Sequence, residues 1–218
     1  IYKRNPNIGF RLYNMFSPKI DLSFLLKIDN LKILYLDTHT EVENIEVLEK
    51  LKLKELHLDS YGIKNYDFLK RVDSSIKILS INLEDKTFKM DINDILHMKD
   101  LESLAIRNVK KGIDKIPEFK KMTKLLLRSI DIKDYQFLQE MNVKKISLNF
   151  QKSEYFTNFG INKTIEEISL WRNPKLTDLS FLLQFPNLKK IVVNDQSKIN
   201  NIPDLTSLKN LEEVYYLC

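Results

Sequence analysis

The feature that most constrains this chain is a short apolar pattern that recurs along its whole length. An apolar residue is followed by two residues of any type, a second apolar residue, one residue of any type and a third apolar residue. Successive copies start 21 to 25 residues apart, at Leu31, Leu53, Ile76, Leu101, Met122, Val143, Ile165, Leu188 and Leu211. A period in this range predicts stacked repeats, because a single repeat is too small to bury its own apolar edge.

Each copy has the signature of a strand followed by a return segment. All apolar slots of the nine copies hold an aliphatic residue or Met, except Tyr216. Alternation of apolar and polar residues is typical of a half-buried strand, and the Gly, Pro and Asn residues between copies indicate turns. The returns are duplicated as well, since DLSFLL at 21–26 recurs at 178–183. The repeating unit is therefore a strand with its return.

This pattern resembles the leucine-rich-repeat family, in particular the short class of about 22 residues found in bacterial internalin-like proteins. The resemblance implies an α/β leucine-rich-repeat solenoid shaped as a horseshoe, with a parallel β-sheet on its concave face and mostly short 3₁₀ or extended returns on its convex face. It implies a single domain over 1–218, with a degenerate repeat at 7–30 ahead of the nine clear copies. A bacterial source and a protein-binding role are what the resemblance favours.

Two local expectations concern the return segments. The family places Asn three residues after the last strand leucine, and here only Asn173 does so. The other copies hold His39, Tyr61, Glu84, Val109, Ile130, Gln151 and Gln196 in that slot, so we expect different contacts to hold those turns. The longest interval contains DINDILHM at 91–98, which predicts one or two helical turns capped by Asp91.

Composition excludes several classes of protein. With 43% hydrophobic and 30% charged residues the chain can form a core, and no apolar run is long enough to span a bilayer. One cysteine and three scattered histidines provide neither a disulfide scaffold nor a metal site, and four isolated glycines provide no phosphate loop. We therefore expect no cofactor, no metal, no catalytic residues and no small-molecule substrate, and predict that the chain is not an enzyme.

The outward face is the set of strand side chains at the third, fifth and seventh positions of each copy, which alternate with the buried slots. On this face the sequence predicts an acidic part and a basic part, which together would orient a partner protein. The acidic part comprises Tyr35, Asp37, Glu55, His57 and Asp59. The basic part comprises Arg107, Lys124, Arg128 and Lys145, and the last copies add Trp171, Lys190 and Tyr215. Two readings of Trp171, beside Arg172, stay open. It is the best candidate for an anchor, since Trp, Tyr and Arg dominate binding energies at interfaces, or it packs against Asn173 and Pro174 and shields the seventh turn.

Alternatives remain at this point. His57 between two carboxylates could be a general base with a raised pKa, although an exposed strand histidine is the commoner case. The net charge of +5 and the basic run would suit RNA phosphates, but basic and acidic residues are mixed along the chain and no aromatic residues alternate with those four bases. A surface adhesin and an intracellular immunity or regulatory protein compete. The lack of disulfides slightly favours the cytoplasm, while the apparently trimmed start leaves secretion open.

Overall fold

The computed structural model describes residues 9–83, 90–130, 132, 134–153, 156 and 158–217. The chain divides into two compact units, Ile1–Lys115 and Ile116–Cys218. The strands, numbered along the chain, are β1 (Phe10–Asn14), β2 (Lys19–Asp21), β3 (Ile33–Thr38), β4 (Glu41–Glu43), β5 (Glu55–Ser60), β6 (Ile78–Asn82), β7 (Ser103–Arg107), β8 (Lys124–Arg128), β9 (Lys145–Asn149), β10 (Glu167–Trp171), β11 (Lys190–Asn194) and β12 (Glu213–Leu217).

In the first unit β1, β3, β5, β6 and β7 pair in parallel, each with the next repeat along the chain. The register places equal slots opposite each other: Leu34 faces Leu56, and Leu56 faces Leu79. The strand β1, which lies within the predicted degenerate repeat at 7–30, pairs with β3. The short strands β2 and β4 form a separate parallel pair on the return side.

The second unit repeats this arrangement with β8, β9, β10, β11 and β12, again parallel and in chain order. Ile146 lies between Leu125 and Ile168 on the adjacent strands. Because equal slots of successive copies meet within each unit, one sequence pattern repeats one packing interface.

The apolar slots form the core of each unit. Every apolar slot of the eight copies that start at Leu31 through Leu188 is at most 3% exposed. Removing such a side chain from water stabilises the fold by about 1.5–3 kcal/mol. The ninth copy differs, because Val214 is 51% and Tyr216 41% exposed.

The returns are short 3₁₀ helices and extended segments. The helices are Leu22–Lys27, Ile45–Lys50, Asp67–Arg71, Ile92–Ile95, Ile113–Glu118, Gln136–Glu140, Ser180–Gln184 and Leu205–Ser207. In the longest interval Asp91 accepts a hydrogen bond from the amide of Asn93 at 3.0 Å, as predicted for a cap. The predicted helical turns over 91–98 shorten to the 3₁₀ helix Ile92–Ile95. Strands about 4.8 Å apart leave little room for neighbouring α-helices about 10 Å wide.

A ladder of buried amide side chains holds the turns of the second unit. The Asn173 side-chain amide donates to the Leu148 carbonyl at 3.0 Å, and its oxygen accepts from the Gln151 backbone amide at 2.8 Å. Gln151 donates in the same way to the Leu127 carbonyl at 2.7 Å. The Gln196 side-chain oxygen accepts from the Asn173 backbone amide at 3.0 Å. Glutamine therefore occupies two of the positions where the family pattern has asparagine.

Other contacts hold the turns of the first unit, as the missing asparagines led us to expect. His39 stacks on Tyr61 with ring centroids 4.8 Å apart. Asn108, one residue before the expected slot, donates to the Leu83 carbonyl at 2.6 Å. Val109 is buried, and Glu84 lies outside the described residues.

Replacing Leu125, which is 2% exposed, by alanine should lower the free energy of unfolding by about 2–5 kcal/mol, as for other buried leucines. Urea unfolding measures this loss. The matched control is Lys124→Ala on the same strand, which changes an exposed side chain and should cost less than about 0.5 kcal/mol. Equal losses in the two variants would show that the strand register is wrong.

Replacing Asn173 by alanine should destabilise the chain by roughly 2–4 kcal/mol, because the Gln151 amide and the Leu148 carbonyl are then left unpaired at about 1–3 kcal/mol each. Asn187→Ala is the control, since Asn187 donates at 2.7 Å to the Lys163 carbonyl at a solvent-accessible site. A loss in Asn173→Ala no larger than the control's, measured by urea unfolding, would contradict the ladder.

Candidate functional site

The twelve residues predicted for partner binding all lie on the outward face, and none of them is buried. The first unit holds Tyr35 and Asp37 on β3, Glu55, His57 and Asp59 on β5, and Arg107 on β7. The second unit holds Lys124 and Arg128 on β8, Lys145 on β9, Trp171 on β10, Lys190 on β11 and Tyr215 on β12. The predicted basic run thus belongs to two units, with Arg107 in one and the other three bases in the second.

An aromatic stack occupies the centre of the acidic part. The rings of Tyr35 and His57 lie 4.2 Å apart and within 9° of parallel. Burial lowers the pKa of His57, and Glu55, whose carboxylate is 3.7 Å from the His57 Nε2, opposes that shift. The prediction that two neighbouring carboxylates raise the pKa of His57, as a general base would require, is therefore wrong. Burial lowers this pKa by more than the charge of Glu55 raises it.

The acids of the first unit are partly neutralised by neighbours from other repeats. Asp37 pairs with Arg11 of β1, which supplies a base where the nine clear copies alone predicted none. Asp59 accepts a hydrogen bond from Asn82 at 2.6 Å, and the Asn82 oxygen accepts from Arg107 at 3.1 Å. One amide thus links an acid of the predicted acidic part to a base of the predicted basic part.

Two of the predicted bases in the second unit are paired across strands. Lys145 contacts Glu167 at 2.5 Å, and Lys190 contacts Glu213 at 2.6 Å. The ammonium of Lys190 also lies 4.8 Å from the ring centroid of Tyr215. The net positive charge available to a partner is therefore smaller here than the sequence predicts.

Arg128 has a different environment from these lysines. Its guanidinium lies 4.7 Å from the ring centroid of Phe150 and 5.6 Å from that of Trp171. The two rings meet edge to face, with centroids 4.8 Å apart. Arg172 also lies 5.7 Å from the Phe150 ring and pairs with Asp195 at 2.6 Å. The structure therefore places aromatic rings beside one of the bases, which the strand positions alone did not suggest.

Phe150 is the contact residue that the sequence reasoning missed. It follows β9 directly, outside the alternating slots, and has a φ of 54°. Residues in the equivalent position, Asn108, Ser129, Arg172 and Asp195, share this left-handed backbone. A bulky residue rarely adopts it. An aromatic residue directly after a strand, aligned with Asn108 and Ser129 of earlier copies, is the signal that could have identified it.

A groove of about 440 Å³ in the second unit is lined by Lys144, Lys163, Thr164, Glu166, Asn187, Lys189 and Asn210. Its Glu166 pairs with Lys189 at 2.8 Å, and this hydrogen bond lowers the pKa of Glu166.

Within the described residues no cluster of His, Cys, Asp or Glu side chains is arranged to hold a metal. None of the described helices is long and apolar enough to cross a membrane.

Comparisons with known proteins place the fold. No protein-family model matches the sequence, and no curated protein matches it. Internalin C2 of Listeria monocytogenes is structurally similar with a TM-score of 0.59 and 19% identity, over 95% of this chain and 80% of that one. Internalin F of the same organism gives a TM-score of 0.58 and 16% identity, over 95% of this chain and 73% of that one.

A plant peptide hormone receptor solved in complex with its peptide gives a TM-score of 0.49 and 15% identity, over 96% of this chain and 49% of that chain. The internalin similarities show that this chain has the leucine-rich-repeat fold of the internalin-like type. The fold class that the resemblance implied is thereby confirmed.

The lowered pKa of His57 predicts a pH dependence of stability. The native state favours the neutral ring, whereas the unfolded chain binds a proton near pH 6.5, so stability should fall as the pH decreases through that value. His57→Phe keeps a ring against Tyr35 but cannot titrate. Urea unfolding at pH 7.5 and 5.5 should show a smaller pH-dependent loss in His57→Phe than in the wild type. An equal or larger loss in the variant would contradict the assignment.

Proposed function

We propose that this chain is a non-enzymatic scaffold that recognises a partner protein through the outward face of its sheet, which is the concave face in the leucine-rich-repeat fold. The observation that carries the proposal is the pair of ring clusters on this face, Tyr35 with His57 and Arg128 with Phe150 and Trp171. Stacked, half-buried aromatic and arginine side chains lose little conformational freedom on binding and are the residue types that dominate interface energies.

The rest of the face supports this role. Parallel strands fix the backbone under every outward side chain, so the face presents a preformed surface. Its charges are mixed, with Asp59 and Arg107 linked through Asn82 and Lys190 paired with Glu213. Charges of both signs favour a protein surface of complementary pattern over a uniformly charged polymer.

A photocrosslinking experiment tests the proposal. Benzoylphenylalanine replaces Tyr215 on the outward face or Leu183 on a return, which are 45% and 42% exposed. We expect a defined protein from extracts of the source organism to be crosslinked from position 215 and not from 183, with or without nuclease treatment. Equal crosslinking from both positions would contradict use of the outward face, and loss of the product on nuclease treatment would favour RNA.

Charge reversal gives a second readout in the same assay. The triple variant Arg107→Glu, Lys124→Glu and Arg128→Glu should lose the crosslinked product and still fold, as checked by circular dichroism, because none of the three side chains occupies a buried apolar slot. Retention of the product at full yield would remove these bases from the interface.

A further inference from the structure

The strongest unexplained feature of the second unit is the environment of Arg128. The guanidinium cradle consists of Arg128, Phe150, Trp171 and Arg172. Arg128 lies against both rings, at 4.7 Å from the Phe150 centroid and 5.6 Å from the Trp171 centroid. The rings meet edge to face with an interplanar angle of 68°. Three successive strands, β8, β9 and β10, bring these side chains together.

The positive charge of Arg128 has no counterion in the described part of the chain. Its Nε atom is buried and has no hydrogen-bond partner among the described residues. A guanidinium presents five donors in a planar fork, and a buried donor left unpaired is unfavourable. Contact with the rings compensates the charge only in part, because it satisfies none of the N–H donors.

A second guanidinium shares the Phe150 ring. Arg172 lies 5.7 Å from the same centroid, and Asp195 balances its charge at 2.6 Å. Two cations therefore lie within 6 Å of one ring centroid, while one carboxylate is paired with them. Together with Asp195, the cradle therefore has a net charge of +1, which one more anion would neutralise.

The backbone holds the cradle at some cost. Phe150 and Arg172 both have positive φ, at 54° and 49°. Their amides donate to the Trp171 and Asn194 carbonyls at 2.8 and 3.1 Å, which fixes both residues in this conformation. Asn108, Ser129 and Asp195 have the same left-handed backbone, so the repeat itself presets the positions of these two side chains.

We propose that the guanidinium cradle binds one carboxylate side chain of an acidic segment of the partner protein. This inference rests on the proposed function and names the chemistry recognised at one point of the outward face. A carboxylate matches the guanidinium fork with two parallel hydrogen bonds, and the neighbouring rings exclude water and so strengthen the pair. An RNA base fits less well, because stacking requires a free ring face and Phe150 already has two guanidinium groups beside it.

The probe for the test is a displayed library of random 12-residue peptides, panned on the full chain. Enriched peptides are synthesised with each acid intact or changed to its amide, and their Kd values are measured. Trp171 is the single tryptophan of the chain, so its fluorescence reports binding at the cradle directly. We expect one acid whose change to the amide weakens binding about tenfold.

Arg128→Gln should weaken binding of the acidic peptide by the same factor. In that variant, the change from acid to amide in the peptide should alter the Kd less than twofold. If Arg128→Gln does not fold, Arg128→Lys takes its place. This variant keeps the charge and the aliphatic stem but loses the fork, so it should give an intermediate loss of affinity. Arg71→Gln is the matched control: Arg71 lies on the return helix Asp67–Arg71, away from the outward face, pairs with Glu49 at 2.6 Å, and its replacement should keep the full acid preference.

Four results would overturn the proposal: no enrichment of any peptide, no required acid, an acid preference that persists in Arg128→Gln, or a loss of preference in Arg71→Gln. Displacement of the peptide by an oligouridine, with quenching of Trp171, would also overturn it in favour of RNA. If peptides or a partner protein bind the outward face with a Kd that Arg128→Gln does not change, the role of the cradle is contradicted and the proposed function is not. Crosslinking from the return alone would remove the proposed function itself.

Discussion

Mutual burial of strand side chains is the constraint on which the rest of this structure depends. A single repeat exposes a narrow apolar edge, and only its neighbours on both sides remove that edge from water. The burial of every apolar slot in eight successive copies shows this within each unit. The outward face follows from the same alternation, because each buried slot forces its neighbours to the opposite side of the sheet.

The second requirement is that the backbone at the strand ends finds hydrogen-bond partners away from water. In the second unit a buried amide side chain reaches from one turn to the carbonyl of the turn before it. Asn173 and Gln151 both do this, so one additional methylene group does not prevent the contact. In the first unit the stack of His39 on Tyr61 lies at the equivalent turns. Several side-chain solutions thus serve one backbone geometry.

The sequence was sufficient to predict the fold because the apolar period depends on local spacing alone, and slots such as Leu125 are located by counting. It was also sufficient to predict which side chains face outward. It could not reveal the partners of those side chains across strands, since the pairing of Asp37 with Arg11 or of Lys145 with Glu167 depends on register and on side-chain reach. Phe150 was missed because its position depends on a left-handed residue after the strand, which alternation does not predict.

The register between β6 and β7 is regular although the two strands are joined by a long return. Ile78 lies opposite Ser103, and Leu79 opposite Leu104, although this repeat has the longest interval of all. Differences in length are therefore absorbed in the returns, and the strand ladder keeps its alignment. Unequal crossing-over in the gene that adds or deletes one repeat would add or remove one complete strand of the outward face. Each retained strand would still find a neighbour with matching slots, so the area for recognition could grow or shrink without a redesigned core.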